Sequence, residues 1–373
     1  MKSLSRFLAV STLLAGQFFA ALGFAESPRQ PEDVFAGESG TAVTLMPTGP
    51  DSRIQLTNFQ GRYFAPADNF ESVLELDNTT TGEPLWTARV GAIFLNRGGP
   101  RSTVMVDDGG GSPLLYSGQY DFSIPWGMEV DAIRHNINGS GWGIEGRYFG
   151  VSNFNAGTSA TYQTGAEVPY INPIGATGYS PTTMNSSYET SNLLNFELNA
   201  RKQVNHDLQY LVGFRYFGFN EAVGINLASD PFSYYSNHQI GASNHLYGAQ
   251  IGADKRLWQH GRFQLEGIVK AGLYGNQSSN NVVAVVQDEV GDRYTSSASQ
   301  TQAAFLGEIG LTGLYKLTNH LAFRATYQAL WLEGIALAPN QIASSDPLNG
   351  TGSVNNNSGV VFLGAFLGLE YTR

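Results

Sequence analysis

The stretch "LNFELNARKQVNHDLQYLVGFRYF", residues 194–217, decides the fold by its spacing. Leu194, Phe196, Leu198 and Ala200 alternate with Asn195, Glu197, Asn199 and Arg201. An extended chain sends successive side chains to opposite sides, so one side is apolar and the other polar or charged. Turn-type residues follow at Gln203–Asp207. Alternation then resumes, with Leu208, Tyr210, Val212, Phe214 and Tyr216 on one face and Gln209, Gly213 and Arg215 on the other. Two strands joined by a short turn, each with a greasy side and a charged side, are the unit that the rest of the chain repeats.

Working outward, Tyr247, Ala249, Ile251 and Ala253 alternate with Gly248, Gln250, Gly252 and Asp254. Phe263, Leu265, Val269, Ala271 and Leu273 oppose Arg262, Gln264, Glu266 and Lys270. Phe305, Ile309 and Leu311 oppose Ala304, Glu308 and Gly310. Leu321 to Trp331 and Leu363 to Tyr371 repeat the pattern, and earlier segments are Leu85–Asn96, Tyr120–His135 and Trp142–Asn153. The pattern predicts about ten strands, each long enough for the 9–11 residues that a tilted membrane strand needs. Short turns at Asn136–Gly141, Gln203–Asp207, Gln259–Gly261 and Thr318–His320 alternate with long polar connections at Arg97–Gly118, Phe154–Tyr188, Glu221–Ala242, Asn276–Ser299 and Ala338–Ser358. A bacterial outer-membrane barrel has this asymmetry, with short turns facing the periplasm. A soluble sandwich has no reason to sort loops by side. The expected fold is all-β, a transmembrane antiparallel up-and-down barrel of about ten strands, twelve being the alternative if residues 26–84 add a hairpin at Ile54–Phe64 and Phe70–Asp77.

Composition agrees. Of 373 residues, 14 % are charged, against roughly 25 % in soluble domains. The 44 glycines are about 12 % of the chain, where roughly 7 % is average. With no cysteine, disulfide scaffolds, thiolate metal sites and cysteine nucleophiles are excluded. A net charge of −10 argues against nucleic acid as a partner. A mean hydropathy of −0.17 excludes a bundle of transmembrane helices. Lys2 and Arg6 precede an uncharged run, Phe7–Ala25, that ends in small residues. It reads as an export signal cleaved after Ala25, which takes the net charge to −12. The organisation expected is a signal peptide at 1–25, a periplasmic linker or extra hairpin at 26–84, and the barrel at 85–373.

One face then meets lipid and the other lines a lumen. The lumen set is Arg89, Glu129, Asp131, Glu145, Arg147, Glu197, Arg201, Arg215, Asp254, Arg256, Glu266, Lys270, Glu308, Arg324 and Glu370. Its signs alternate round the ring, so neighbouring strands can pair charges as a constriction or a salt-bridge ladder. Inward glycines such as Gly213, Gly248 and Gly368 leave room for the long cations. Trp86, Trp142 and Trp258 near the short turns suit an aromatic girdle.

Four segments resemble a known family: those beginning "YDFSIPWGMEVDAIRHNINGSGWG" at Tyr120, "ELNARKQVNHDLQYLVGFRYFGFNE" at Glu197, "NHLYGAQIGADKRLWQHGRF" at Asn244 and "AFLGEIGLTGLYKLTNHLAFRATYQALWLEG" at Ala304. They look like bacterial outer-membrane β-barrel porins of the group called beta-barrel porin family seven. The resemblance implies outer-membrane location and pore formation and supplies no catalytic residue. Barrels of this kind commonly end in an aromatic residue; here the chain ends Tyr371-Thr372-Arg373.

Chemical motifs are sparse. His135, His206, His260 and His320 fall at short turns and are not spaced as metal ligands. His238 and His245 lie in or beside one long connection, and with Asp230 they offer an acid/base pair at the outer rim. "VDDGGGS" (Val106–Ser112) and "QDEVGD" (Gln287–Asp292) are acidic loops that miss the EF-hand pattern. No nucleophile elbow occurs. The expected protein is not an enzyme and needs no cofactor or metal. Its partners are the lipid bilayer and the outer-membrane assembly machinery, without nucleic acid. The expected function is a narrow porin-like channel for ions or small hydrophilic solutes, the alternative being a non-conducting structural, adhesin or receptor barrel. About eight strands leave a filled interior and 16–18 leave a channel, so ten predict a narrow or blocked lumen.

Overall fold

The computed structural model describes residues 41–44, 55–58, 84–99, 102–162, 170–171, 175–176, 182–229, 234–287 and 292–373. The chain divides into two units, Met1–Asp77 and Asn78–Arg373. In the first, Thr41–Thr44 pairs antiparallel with Gln55–Asn58. Within Ile54–Phe64, the described strand Gln55–Asn58 therefore has an upstream partner, and Phe70–Asp77 lies outside the described residues. The signal peptide and the rest of these segments lie outside the described residues.

The second unit is an antiparallel barrel of ten strands: β1 (Trp86–Arg97), β2 (Trp126–Arg134), β3 (Trp142–Ser152), β4 (Thr182–Gln203), β5 (Leu208–Ser229), β6 (Tyr234–His260), β7 (Phe263–Gln287), β8 (Asp292–Lys316), β9 (Leu321–Ile335) and β10 (Ser358–Thr372). Each pairs with its sequence neighbours, and β10 pairs with β1, which closes the sheet. Closure satisfies every strand edge, the condition for spanning lipid. Followed from partner to partner, the register runs Trp86, Arg134, Ile144, Ala200, Val212, Ile251, Ala271, Gly307, Trp331, Val361. It returns to the first strand at Gly98, whose N–H donates to Val361 O at 2.7 Å. That is twelve positions from Trp86, the stagger that strongly tilted barrel strands require.

Turn chemistry fixes the short end. Asn205 Oδ1 accepts from the N–H groups of Asp207 (2.9 Å) and Leu208 (3.0 Å), and Thr318 Oγ1 accepts from those of His320 and Leu321. Such side-chain turns replace a backbone partner where the chain reverses. Gly261 closes β6–β7 at φ +57°, where a side chain would be strained. Both ends of the barrel chain meet at this rim: the Leu85 and Trp86 N–H groups donate to Arg373 O at 2.6 and 2.7 Å.

The outward face is apolar over a belt. Leu194, Phe196 and Leu198 are exposed, as are Val212, Ile251, Val269, Leu273, Ile309, Leu363 and Leu367, while Glu197 and Arg215 between them are fully buried. Exposure on this scale on a closed barrel means contact with lipid. Trp86, Trp142 and Trp258 lie at the short-turn rim of the belt and Trp331 towards the opposite rim. Gly307 lies under the Trp331 indole; a Cβ there would come 2.2 Å from the ring.

Two connections differ from the sequence reading. Residues 221–242 and 276–299 are not loops: β5–β6 and β7–β8 stay paired almost to their tips. The alternation continues above the belt, with Val223, Ile225, Leu227, Ile240, Val282 and Ala284 buried inside and mostly Asn, Ser, Thr and Gln outside, Val283 and Val285 being exceptions. Polar outer residues mask a strand that is still amphipathic. Conversely, Tyr120–Pro125 is not the start of β2; it belongs to the connection folded over the barrel.

Candidate functional site

The lumen is filled in three levels. The lowest is a ring to which all ten strands contribute. Arg89 meets Asp131 and Glu370, both at 2.8 Å, and Arg324 meets Glu370 (2.9 Å) and Glu266 (3.2 Å) and donates to Thr312. Arg201 completes the ring with Glu145 (2.6 Å), Asp254 (2.8 Å) and Gln209.

The second level crosses the barrel. Arg147 on β3 bonds to Glu129 on β2 and Glu197 on β4, but also to Glu308 on β8 at 2.6 Å, half the barrel away. Arg215 on β5 reaches the same Glu308 at 2.8 Å, and Lys270 on β7 reaches Glu197 on β4 at 2.7 Å. Gln250 on β6 donates to Glu197 and Asn199, and Arg147 donates to Gln328 on β9. Three cations and three carboxylates are thus locked in one buried, charge-balanced knot. Buried charges persist only when paired and hydrogen-bonded in this way.

The third level is apolar. Phe219 on β5 packs edge-on against Phe362 on β10 across the barrel, with ring centroids 5.5 Å apart, and Phe154 packs on Phe362 at the same distance. Beside them, Arg97 pairs with Glu221 at 2.7 Å inside a cage of Phe122, Tyr188 and Phe219, 4.5–5.2 Å from the guanidinium carbon. Burial raises the Glu221 pKa in spite of its arginine partner.

Loops seal the top. The β9–β10 connection starts with α1 (Ala338–Gln341), and Ala336, Leu337 and Ala338 are fully buried. Asn244 bonds both ways to the Ala336 backbone at 2.7 Å. Asn280 donates to Ser353 O and Ser345 Oγ, and Glu221 accepts from Ala338 N–H at 2.5 Å. The β1–β2 connection adds Tyr120, bonded to Ser186 at 2.5 Å; burial pushes its hydroxyl up to about 12. Thr103 ties the two loops by donating to Asn340.

Of the fifteen lumen residues named from sequence, fourteen take part in the lower two levels. Arg256 stands apart: a bulge between Arg256 and Trp258 leaves it at the short-turn mouth, beside Asp207 and His206. Two of the inward glycines stand directly opposite an arginine in register, Gly248 to Arg215 and Gly368 to Arg324. Gly248 lies against Tyr274, Gly368 against Phe366 and Gly213 against Asn199. The third level and the loop seal were missed because Arg97 and Glu221 fall in segments read as loops. The run Glu221, Val223, Ile225, Leu227 was the signal.

The remaining motifs do not assemble into chemistry. His238 points inward and is fully buried, bonded to Ser236, whereas His245 points outward to Tyr216. They occupy opposite faces of β6, and Asp230 lies outside the described residues. Asp108 accepts from the N–H groups of Gly110 and Ser112 within its own turn, and the Ser112 N–H above all holds its carboxyl below the usual range. Among the described residues no cluster of histidines and carboxylates could hold a metal.

No protein-family profile matches the chain, and no curated protein does. Among solved structures, the outer-membrane protease OmpT from Escherichia coli is similar with a TM-score of 0.44 and 11 % identity, over 79 % of this chain and 100 % of its own. The Pseudomonas putida toluene transporter TodX gives 0.31 and 8 %, over 78 % and 90 %. An anion-selective porin from Comamonas acidovorans gives 0.20 and 8 %, over 78 % and 99 %. These values transfer no activity. The closed ladder and the apolar belt make the chain an outer-membrane β-barrel.

Proposed function

We propose that the protein is a closed outer-membrane barrel that works through its extracellular extension, as a structural, receptor or adhesin protein, and not as a standing pore. The Arg147–Glu308 bond carries this reading, because side chains from opposite walls that touch leave no aqueous path between them. The apolar level and the loop seal above it lead the same way. The narrow channel remains the second reading, and the resemblance of four segments to a porin family favours it.

Planar-bilayer recording of folded, heat-modifiable protein separates the two. A closed barrel gives a silent bilayer. Discrete, sustained steps from the unmodified protein would overturn the closed reading and establish the channel. Neither reading includes catalysis, so a panel of peptides and lipid esters should show no turnover.

A further inference from the structure

The lipid-facing wall at the short-turn end carries two indoles and two cations on four consecutive strands. Trp86 on β1 and Arg134 on β2 are register partners, and the guanidinium carbon lies 5.1 Å from the indole centroid. Trp142 on β3 and Lys202 on β4 repeat the arrangement, with Nζ 5.3 Å from the ring. Each cation makes one backbone bond, Lys202 to Ser140 O at 2.8 Å and Arg134 to Leu85 O at 3.4 Å, so most of their N–H donors stay available.

Neither cation has a carboxylate partner among the described residues, whereas the lumen cations all have one. Among the described residues, Lys255, Arg262, Lys316 and Arg373 at the same rim also lack a carboxylate partner, and Arg293 at the far end does too. Among the described residues, unpaired positive charge is therefore concentrated on the short-turn side. Indoles settle at headgroup depth, and long cations lie along apolar surface with their heads at the interface. Phosphate oxygens are the acceptors that such donors fit.

We propose that the Trp86–Arg134–Trp142–Lys202 arc is a headgroup site for an anionic phospholipid of the leaflet that faces the short turns. A net negative headgroup gains from both cations, whereas a zwitterionic one offsets its phosphate with its own ammonium. Each cation should be worth roughly fivefold in preference for the anionic lipid. The site is independent of whether the lumen conducts.

The test uses delipidated full-length protein in neutral detergent, offered phosphatidylglycerol or phosphatidylcholine, with retained lipid counted by native mass spectrometry. The wild type should retain phosphatidylglycerol preferentially, and high salt should weaken the preference. Arg134→Gln and Lys202→Gln should each cut it roughly fivefold, and together abolish it, while Arg293→Gln leaves it unchanged. Heat-modifiability reports whether each variant is folded, and the single variants carry the test if the double one is not. Equal retention of the two lipids by the wild type, or a preference that survives in folded variants, would overturn the proposal. So would full displacement of the lipid by inorganic phosphate, which would show a phosphate site without a lipid.

Discussion

At the scale of single residues, the lumen is decided by a few carboxylates that serve several partners at once. Glu308 receives Arg147 and Arg215 and lies 4.0 Å from Lys270. Its removal leaves three cations facing two carboxylates, Glu129 and Glu197, so one buried positive charge goes unbalanced. Glu308→Ala should cost about 3–5 kcal/mol, read as a lower heat-modification midpoint, with Glu308→Gln falling between. An equal loss for Glu370→Ala would mean that the crossing knot has no special weight over the wall ring. His238 supplies the pH dependence. It is fully buried between Ile225 and Ala284 of the adjoining strands, and burial lowers its pKa from 6.5 to about 4. A depressed histidine keeps its site intact above pH 6.5, where it is neutral in open and closed states alike. As pH falls from 6.5 towards 4, only an opened hairpin can take up the proton, so closure weakens, by up to on the order of 2–3 kcal/mol. Protease nicking of the β5–β6 hairpin should therefore rise between pH 7 and pH 5, and His238→Gln should remove that rise. A wild-type hairpin indifferent to pH would place His238 in contact with water.

At the scale of elements, alternation made the membrane strands legible because lipid and lumen impose opposite demands on successive residues. Phe196 beside Glu197 and Phe214 beside Arg215 leave no other regular structure. The same rule failed above the belt, where both faces of a strand touch protein or water and Ser, Thr and Asn serve either. Asn280 shows the difficulty: as a sequence symbol it is a loop residue, yet it is buried and holds Ser345 and Ser353. Its role depends on partners more than 60 residues away, beyond any local pattern. Charge pairing was legible in composition but not in partner choice, since the stagger of the barrel decides which walls meet. The belt makes its own prediction. Val269 on β7 and Leu367 on β10 both face lipid, about half exposed. An arginine at either position should cost roughly 2–4 kcal/mol if it lies near the midplane and impair folding into vesicles. Arginine at Ser297, outward on β8 above the belt, should fold normally. Normal folding of both belt variants would move the lipid boundary.

At the scale of the whole molecule, the three filled levels and the loop seal act in series. Conductances in series are governed by the tightest level, so opening one level leaves the others in control. Removing the loop seal, by replacing residues 337–357 with a short Gly-Ser linker, should still leave a silent bilayer, because Arg147 continues to bridge to Glu308. Breaking that bridge alone with Arg147→Ala should also stay silent, because Phe219 and Phe362 still meet above it. Only a combined variant, lacking the seal and carrying Arg147→Ala, Phe219→Ala and Phe362→Ala, should show steps, and small ones, since the wall ring of Arg89, Arg201 and Arg324 still narrows the lumen. A pore with one gate behaves differently: a single lesion opens it. Steps from the loop deletion alone would identify that loop as the gate of a channel and return the protein to the porin reading.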